Sequence, residues 1–513
     1  MNKLFSILLI LSMFSCKSKE QDNGALQSDV SNTPPNVVIF YVDDLGYADL
    51  SSYGASGVKT PNVDRLANNG VKFTDAHSSA ATCTPSRYSL LTGQYAFRNK
   101  AVILPGDAPL LIRPETPTLP KMFKKAGYKT AVVGKWHLGL GNGDVNWNGQ
   151  VKPGPLEIGF DYSFLLPATG DRTPTVYLEN HNVVNLNLND SLKVSYETPF
   201  SNEPLGVTHP ELLRQKADLQ HSQALVNGIS RIGYQTGGKE AMWVDEEFPD
   251  VFTGKAIDFM RNNKDNPFFL FFSFHDIHVP RVPNERFIGK STMGPRGDAI
   301  VQMDWMTGQI IKELENLSLD KNTLVIFTSD NGPVLDDGYA DLAEEKLGGH
   351  TPSGPFRGGK YSAYEAGTRV PMITYWPEKI QPGESSALIS QTDYYASLAS
   401  LINVSLQEGE ALDSENVKQA IVDAKAPARN IMLEESFTLS LRKGNWKYIA
   451  PLGEKDTPEW LSNKKIEMGL SPVPQLYDLS KDIGEQSNIA SLNKEIVEAL
   501  QAKIDSIVIL NSD

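Results

Sequence analysis

Uninterrupted apolar runs dominate this chain, and each stops abruptly on polar residues. NVVIFYV (Asn36 to Val42) ends at Asp43-Asp44, and NPFFLFFSF (Asn266 to Phe274) ends at His275-Asp276. NTLVIFTS (Asn322 to Ser329) ends at Asp330-Asn331, KTAVVG runs into Lys135, and VPMITYW is a further run. Such runs read as strands buried on both faces, the habit of parallel sheets. VKFTDAH (Val71 to His77) also reads as a strand. Between them the period changes to that of helices. TPNVDRLANNG has Thr60 as cap, Pro61 in the first turn and Gly70 as stop. Leu119 to Ala126, closed by Gly127, is a second helix. Gly297 to Leu317 is a third, with Ile300, Met303, Met306, Ile310 and Ile311 on one stripe. Strands alternating with helices predict an α/β fold: a large mixed, mostly parallel sheet sandwiched by helices, over residues 36–427. Beyond about Pro427 the texture changes. ARNIMLEES, LRKGNWKYIAP and PQLYDLSKD read as short antiparallel strands, followed by a helix from Lys494 to Ile509. Residues 428–513 are therefore expected to form a smaller C-terminal α+β subdomain.

The N-terminus reads differently. MNKLFSILLILSMFS carries Lys3 and an apolar run from Leu4 to Phe14, too short to span a bilayer and fitting a signal peptide over residues 1–15. Ser15-Cys16 with the polar stretch after it resembles a bacterial lipoprotein cleavage site. The resemblance implies a lipidated Cys16, a flexible tether over residues 16–35, and an exported cell-envelope lipoprotein held to the membrane by its lipid alone. An ordinary signal peptide cleaved nearby is the alternative. The only other cysteine is Cys83, so no structural disulfide is expected. With 513 residues and 40% hydrophobic content, the core is large enough without one. A net charge of −14 argues against nucleic acid as a partner.

Chemistry gathers where the strands end. Ligands of open α/β sheets sit beyond the carboxyl ends of the strands. Asp43, Asp44, Asp330 and Asn331 brought together there would repel one another unless a cation lay between them. All-oxygen ligands select calcium or magnesium. Taken singly, each pair also fits a plain turn. His275 and His278 are spaced like zinc ligands, but no third histidine or cysteine lies nearby in sequence.

The stretch TCTPSRYSLLTGQYAFR (Thr82 to Arg98) decides among these readings. It resembles the C-x-P-S-R…L-T-G signature of the type I sulfatases, of the alkaline phosphatase superfamily. GKWHLG (Gly134 to Gly139), HDIHVP and GGKYSAYEAGTRVP resemble further motifs of that family, in the expected order. The resemblance implies that a formylglycine-generating or anaerobic sulfatase-maturating enzyme oxidises Cys83 to formylglycine. Its hydrated gem-diol then attacks sulfur with one hydroxyl and lets the sulfated intermediate collapse with the other. By the same resemblance Arg87 steadies this side chain, and Lys135 and Lys360 hold the sulfate. His137 contacts the diol, and His278 protonates the leaving alcohol. Calcium (magnesium as second choice) is bound by Asp43, Asp44, Asp330, Asn331 and the modified Cys83.

Substrate contacts are expected from His275, from Asp171 and Arg172 (with Thr169 an option), and from His350 in the insertion Asp336 to Phe356. For the stretches holding Asp171, Arg172 and His350, a plain surface loop is the alternative. GPLEIGFDYSFLLPATGDRTPTVYLEN resembles bacterial sulfatases that act on sulfated carbohydrates, and the resemblance implies such a substrate here. An algal polysaccharide such as ulvan comes first and a glycosaminoglycan bearing N-acetylhexosamine second. The rival classes are a formylglycine-dependent phosphonate or phosphodiester hydrolase, and a non-catalytic glycan-binding lipoprotein.

Overall fold

The apolar runs lie side by side. In the computed structural model, which describes residues 34–452, 461 and 466–509, they form the middle of a ten-stranded sheet. Thr323–Ser329, Asn36–Val42, Phe268–Ser273, Lys129–Lys135 and Tyr162–Leu166 are adjacent in that order and all parallel. Antiparallel Met372–Tyr375 extends one side and short strands at 178–179 and 182–183 the other, so the sheet is mixed. The signal-peptide and Cys16 readings fall outside the described residues.

Register explains why chemistry collects at one edge. Val42 is level with Ser329, Tyr41 with Ser273, and Ser273 with Gly134. The next residues along each strand, Asp43, Asp330, Phe274 and Lys135, therefore emerge together. Alternate side chains of the first strand feed the two faces: Val37, Ile39 and Tyr41 enter one core, and Val38, Phe40 and Val42 the other. All six are fully buried. Each such side chain is worth about 1.5–3 kcal/mol over its exposed state.

The expected helices form at Pro61–Asn68, Leu119–Lys125 and Gly294–Asn316. VKFTDAH divides instead of forming one strand. Val71–Phe73 joins the main sheet, while Ala76–His77 pairs with Ile389–Ser390 in a separate ladder. Thr60 also differs from expectation. Its side chain caps nothing at the start of its helix. The cap comes from Asp304 on the long helix, whose carboxylate accepts the Asn62 and Val63 N–H groups at 3.0 and 2.9 Å. Burial pushes that carboxyl up to about 6, and these donors work against the shift.

The C-terminal segment forms the expected antiparallel sheet from Ile431–Glu435, Leu439–Lys443, Trp446–Ile449 and Gln475–Asp478. Leu500 and Ile504 of the last helix pack on it. It is stitched to the stretch before Cys83, where Ala81 N–H donates to the Glu435 carbonyl and Glu435 N–H to that of Ser79. Beside these bonds lies a buried ion network. Arg442 meets Asp75 and Glu365, Lys447 meets Glu365 and Glu434, and His77 sits between Asp75 and Glu434. Burial alone would lower the His77 pKa, but Asp75 and Glu434 outweigh it and raise the pKa above its usual value.

Two outcomes follow from these contacts. Asp304→Ala strips the cap and is expected to lower unfolding stability by about 1–3 kcal/mol, read from denaturant titration. His77, with its raised pKa, adds stability that is complete below about pH 6.5 and is lost as pH rises through the folded value. The gap in thermal midpoint between wild type and His77→Gln should therefore shrink as pH is raised above neutrality.

Candidate active site

Cys83 is the first residue of the helix Cys83–Thr92, whose ten residues are all buried. The preceding Thr82 is extended, so the helix begins sharply at Cys83. A helix N-terminus favours negative charge, which suits an anionic ligand there. Gly134 makes the neighbouring turn possible. Its φ is +110°, and a Cβ there would lie 1.8 Å from the Ser273 carbonyl oxygen. The turn brings His137 Nδ1 to 3.4 Å from Cys83 Sγ, the atom standing where the diol oxygens of formylglycine would be. His137 Nε2 must donate to the Leu104 carbonyl at 2.9 Å, so Nδ1 is the bare nitrogen facing Cys83. Burial, then Lys135 and Arg172, hold His137 well below its usual pKa, and the ring is neutral.

The acidic residues that end the strands converge. Arg87 donates to Asp330 at 2.7 Å and to Ser273 Oγ at 2.5 Å. Lys135 bonds Asp43, and Lys360 bonds Asp44 at 2.9 Å. Burial and the nearby Asp330 push Asp43 well above the usual carboxylate range, and burial also raises Asp44. For Asp330 the upward push of burial is outweighed by Arg87 and Lys135, and its pKa is lowered.

Two buried oxygens here accept no hydrogen bond, Asp43 Oδ1 and Asn331 Oδ1. Asn331 spends its amide N–H on Asp44 at 2.7 Å and on the Gly332 carbonyl, which turns that oxygen away from them. Ligand atoms of Asp43, Cys83 and Asp330 lie within 4.8 Å of one another. Orphaned acceptors beside three carboxylates fit a hard divalent cation, held by Asp43, Asp44, Asp330 and Asn331. Such an ion would supply fixed positive charge to a sulfate oxygen.

His278 donates through Nδ1 to the Val279 carbonyl at 2.7 Å, leaving Nε2 open 3.9 Å from Asp44. Burial and Lys360 keep its pKa well below the usual value. Neither ring nitrogen of His275 has a partner, and burial, then Lys135, depress its pKa to about 3. His275 and His278 also gather with Asp43 within 4.8 Å, a trio that a search for a third histidine or cysteine passes over.

A cavity of about 550 Å³ opens above this floor, with Cys83, His137, His278 and Lys360 among its lining residues. Asp171 and Arg172 line it too, but they are bonded to each other at 2.8 Å. Asp171 also faces His221 at 3.4 Å. Burial works against both, yet Arg172 and His221 draw Asp171 well below its usual pKa, and Asp171 and Asp218 raise His221. His350, expected at the substrate, lies elsewhere. Its Nε2 meets Asp49 at 2.9 Å, where Arg296 is also bonded, and it borders a separate cavity of about 350 Å³. A buried carboxylate needs such partners, and that need places His350. Of the insertion, Asp337 reaches the main cavity, with its carboxylate 3.0 Å from Lys360 Nζ. Neither Asp337, inside an Asp-Asp-Gly turn, nor His221, in a polar stretch, carried a sequence signal of its own. Glu435 and Tyr196 also line the cavity without one.

A family model described as Sulfatase matches residues 35–404. The N-acetylgalactosamine-6-O-sulfatase of Bacteroides thetaiotaomicron is 47% identical over 503 residues, covering 97% of each chain. Human arylsulfatase A is 29% identical over 503 residues, covering 91% of this chain and 86% of its own. A solved 6S-sulfatase structure, from work on the metabolism of multiple glycosaminoglycans by Bacteroides thetaiotaomicron, is 48% identical. It superposes with a TM-score of 0.90, covering 93% of this chain and 99% of that one.

Calcium added back to EDTA-treated protein is expected to raise its thermal midpoint, because a ligand of the native state alone stabilises it. Asn331→Ala should remove most of that rise. No calcium-dependent shift in the wild type would count against the cation site.

Proposed function

The chain belongs to the sulfatase family, and from that membership we propose that it hydrolyses the 6-O-sulfate ester of N-acetylgalactosamine in glycosaminoglycan-type glycans. The single observation that carries the reading is 47% identity, with 97% of both chains covered, to a sulfatase named for that ester. The cavity supports it, since about 550 Å³ suits one or two sugar units above the sulfate site. Ulvan, the first expectation, draws no support from these relatives, whereas the N-acetylhexosamine alternative does. The same proposal puts the enzyme at the bacterial cell envelope, on the strength of the leader and Cys16 alone.

The residues divide the work by charge and proton position. Lys135 and Lys360 would hold the sulfate with fixed positive charge, and Arg172 lines the same cavity as Lys360. Each such preorganised donor is typically worth about 2.7–4 kcal/mol at the transition state. Formylglycine made from Cys83 would supply the attacking hydroxyl. His137 Nδ1, bare and facing that side chain, accepts a hydroxyl proton. Arg87 takes no part in proton transfer, because it stays cationic and anchors Asp330 beneath the nucleophile. His278 turns Nε2 toward the site, and once that nitrogen has taken up a proton it is placed to pass it to the departing sugar oxygen. Burial first and then Lys360 hold the His278 pKa down, and the negative charge of a bound sulfate would oppose the lysine's share.

Sulfate release from N-acetylgalactosamine 6-sulfate, 4-sulfate and ulvan oligosaccharides, followed by ion chromatography, tests this. The 6-sulfate should be preferred by ~10²-fold or more in kcat/KM. Cys83→Ala should reduce turnover by at least ~10³-fold. Turnover confined to aryl sulfates, or a preference for phosphonate esters, would overturn the proposal.

A further inference from the structure

One buried arginine outside the sulfate-binding set joins three parts of the site. Arg281 has a fully buried side chain. Its Nε donates to the Ile277 carbonyl at 2.8 Å. One terminal nitrogen donates to the Leu335 carbonyl at 2.9 Å and to Asp341 at 2.6 Å, and the other donates to the Val334 carbonyl at 2.8 Å. A single guanidinium thus grips the loop carrying His278, the backbone that follows Asn331, and the insertion. The gripped backbone also reaches Lys360. Pro333, next to Val334, accepts the Lys360 N–H at 2.9 Å, and Asp337 holds its ammonium.

The grip falls where the chain needs it. Ile277, immediately before His278, has φ of +83°. Branched side chains avoid that region, and a residue held there depends on its surroundings. Released, the 277 peptide would relax and swing His278 away from Asp44. Among the described residues, the 277 carbonyl accepts a hydrogen bond from Arg281 alone.

We propose that Arg281 is a positioning residue that fixes His278 for the reaction, by clamping the strained Ile277 peptide to the segment after Asn331. A lysine cannot replace it, because a point charge on a flexible stem does not serve several acceptors in one plane.

This inference rests on the role of His278 in sulfate ester hydrolysis, and a double-mutant cycle tests it. In folded protein, Arg281→Lys should lower kcat on N-acetylgalactosamine 6-sulfate by about tenfold or more, with KM within about threefold. In a His278→Ala background the same change should cost less than about threefold further, because its route is already gone. Arg281→Gln, which keeps a planar donor, is the second variant should the first fold poorly, and the same cycle applies to it. Equal losses in both backgrounds would overturn the proposal. So would kcat within threefold of wild type, or a loss matched by the unfolded fraction. A wild type that releases no sulfate from this ester would instead refute the substrate reading.

Discussion

Three carboxylates, Asp43, Asp44 and Asp330, have to stay buried together, and the centre of this molecule is arranged around that requirement. Two like charges about 4 Å apart repel by about 4 kcal/mol even at the moderate effective dielectric of protein sites. Parallel register forces the encounter, since it brings the strand ends to one level. Each carboxylate meets a cation from a different element: Asp330 meets Arg87 of the buried helix, Asp43 meets Lys135 at a strand end, and Asp44 meets Lys360 of a loop. Removing one charge of such a set leaves its partner unpaired in a dry interior, so the group behaves as a unit. A divalent cation would add to the compensation and take up the orphaned oxygens.

Much of this was legible because it was written in local patterns. The apolar runs named four of the five central parallel strands, and the polar residues that stop them named the candidate cation ligands. Tyr162–Leu166 escaped, being short and set among loops. The places where expectation failed share one physical cause, contact between residues far apart in sequence. The cap of the 61–68 helix comes from Asp304, so Thr60 misled. His350 looked available until Asp49, 301 residues away, claimed it. Asp337 and His221 gain their positions only when the insertion folds back over the cavity.

The C-terminal sheet is more than an appendage. Its first strand is bonded to the residues that lead into Cys83, and Glu435 at its end lines the cavity. The ion network of His77, Asp75, Glu365, Glu434, Arg442 and Lys447 fixes this wall from behind. A buried, partner-rich network is a costly way to gain stability and an effective way to gain a unique arrangement. Here it sets the cavity wall against the nucleophile's helix.

The position of the first strand has a consequence for how the chain comes into being. Asn36–Val42 is made early, yet its neighbours bond Asn36 from 232 and 287 residues downstream. The most apolar ladder in the fold has to wait, unpaired on both edges, until more than half of the polypeptide exists. At about 5–20 residues per second that wait is on the order of tens of seconds. Such a topology predisposes to slow acquisition of the native state and to capture by other nascent chains. The order in which this sheet is strung therefore favours shielding of the newly made strand until its partners exist.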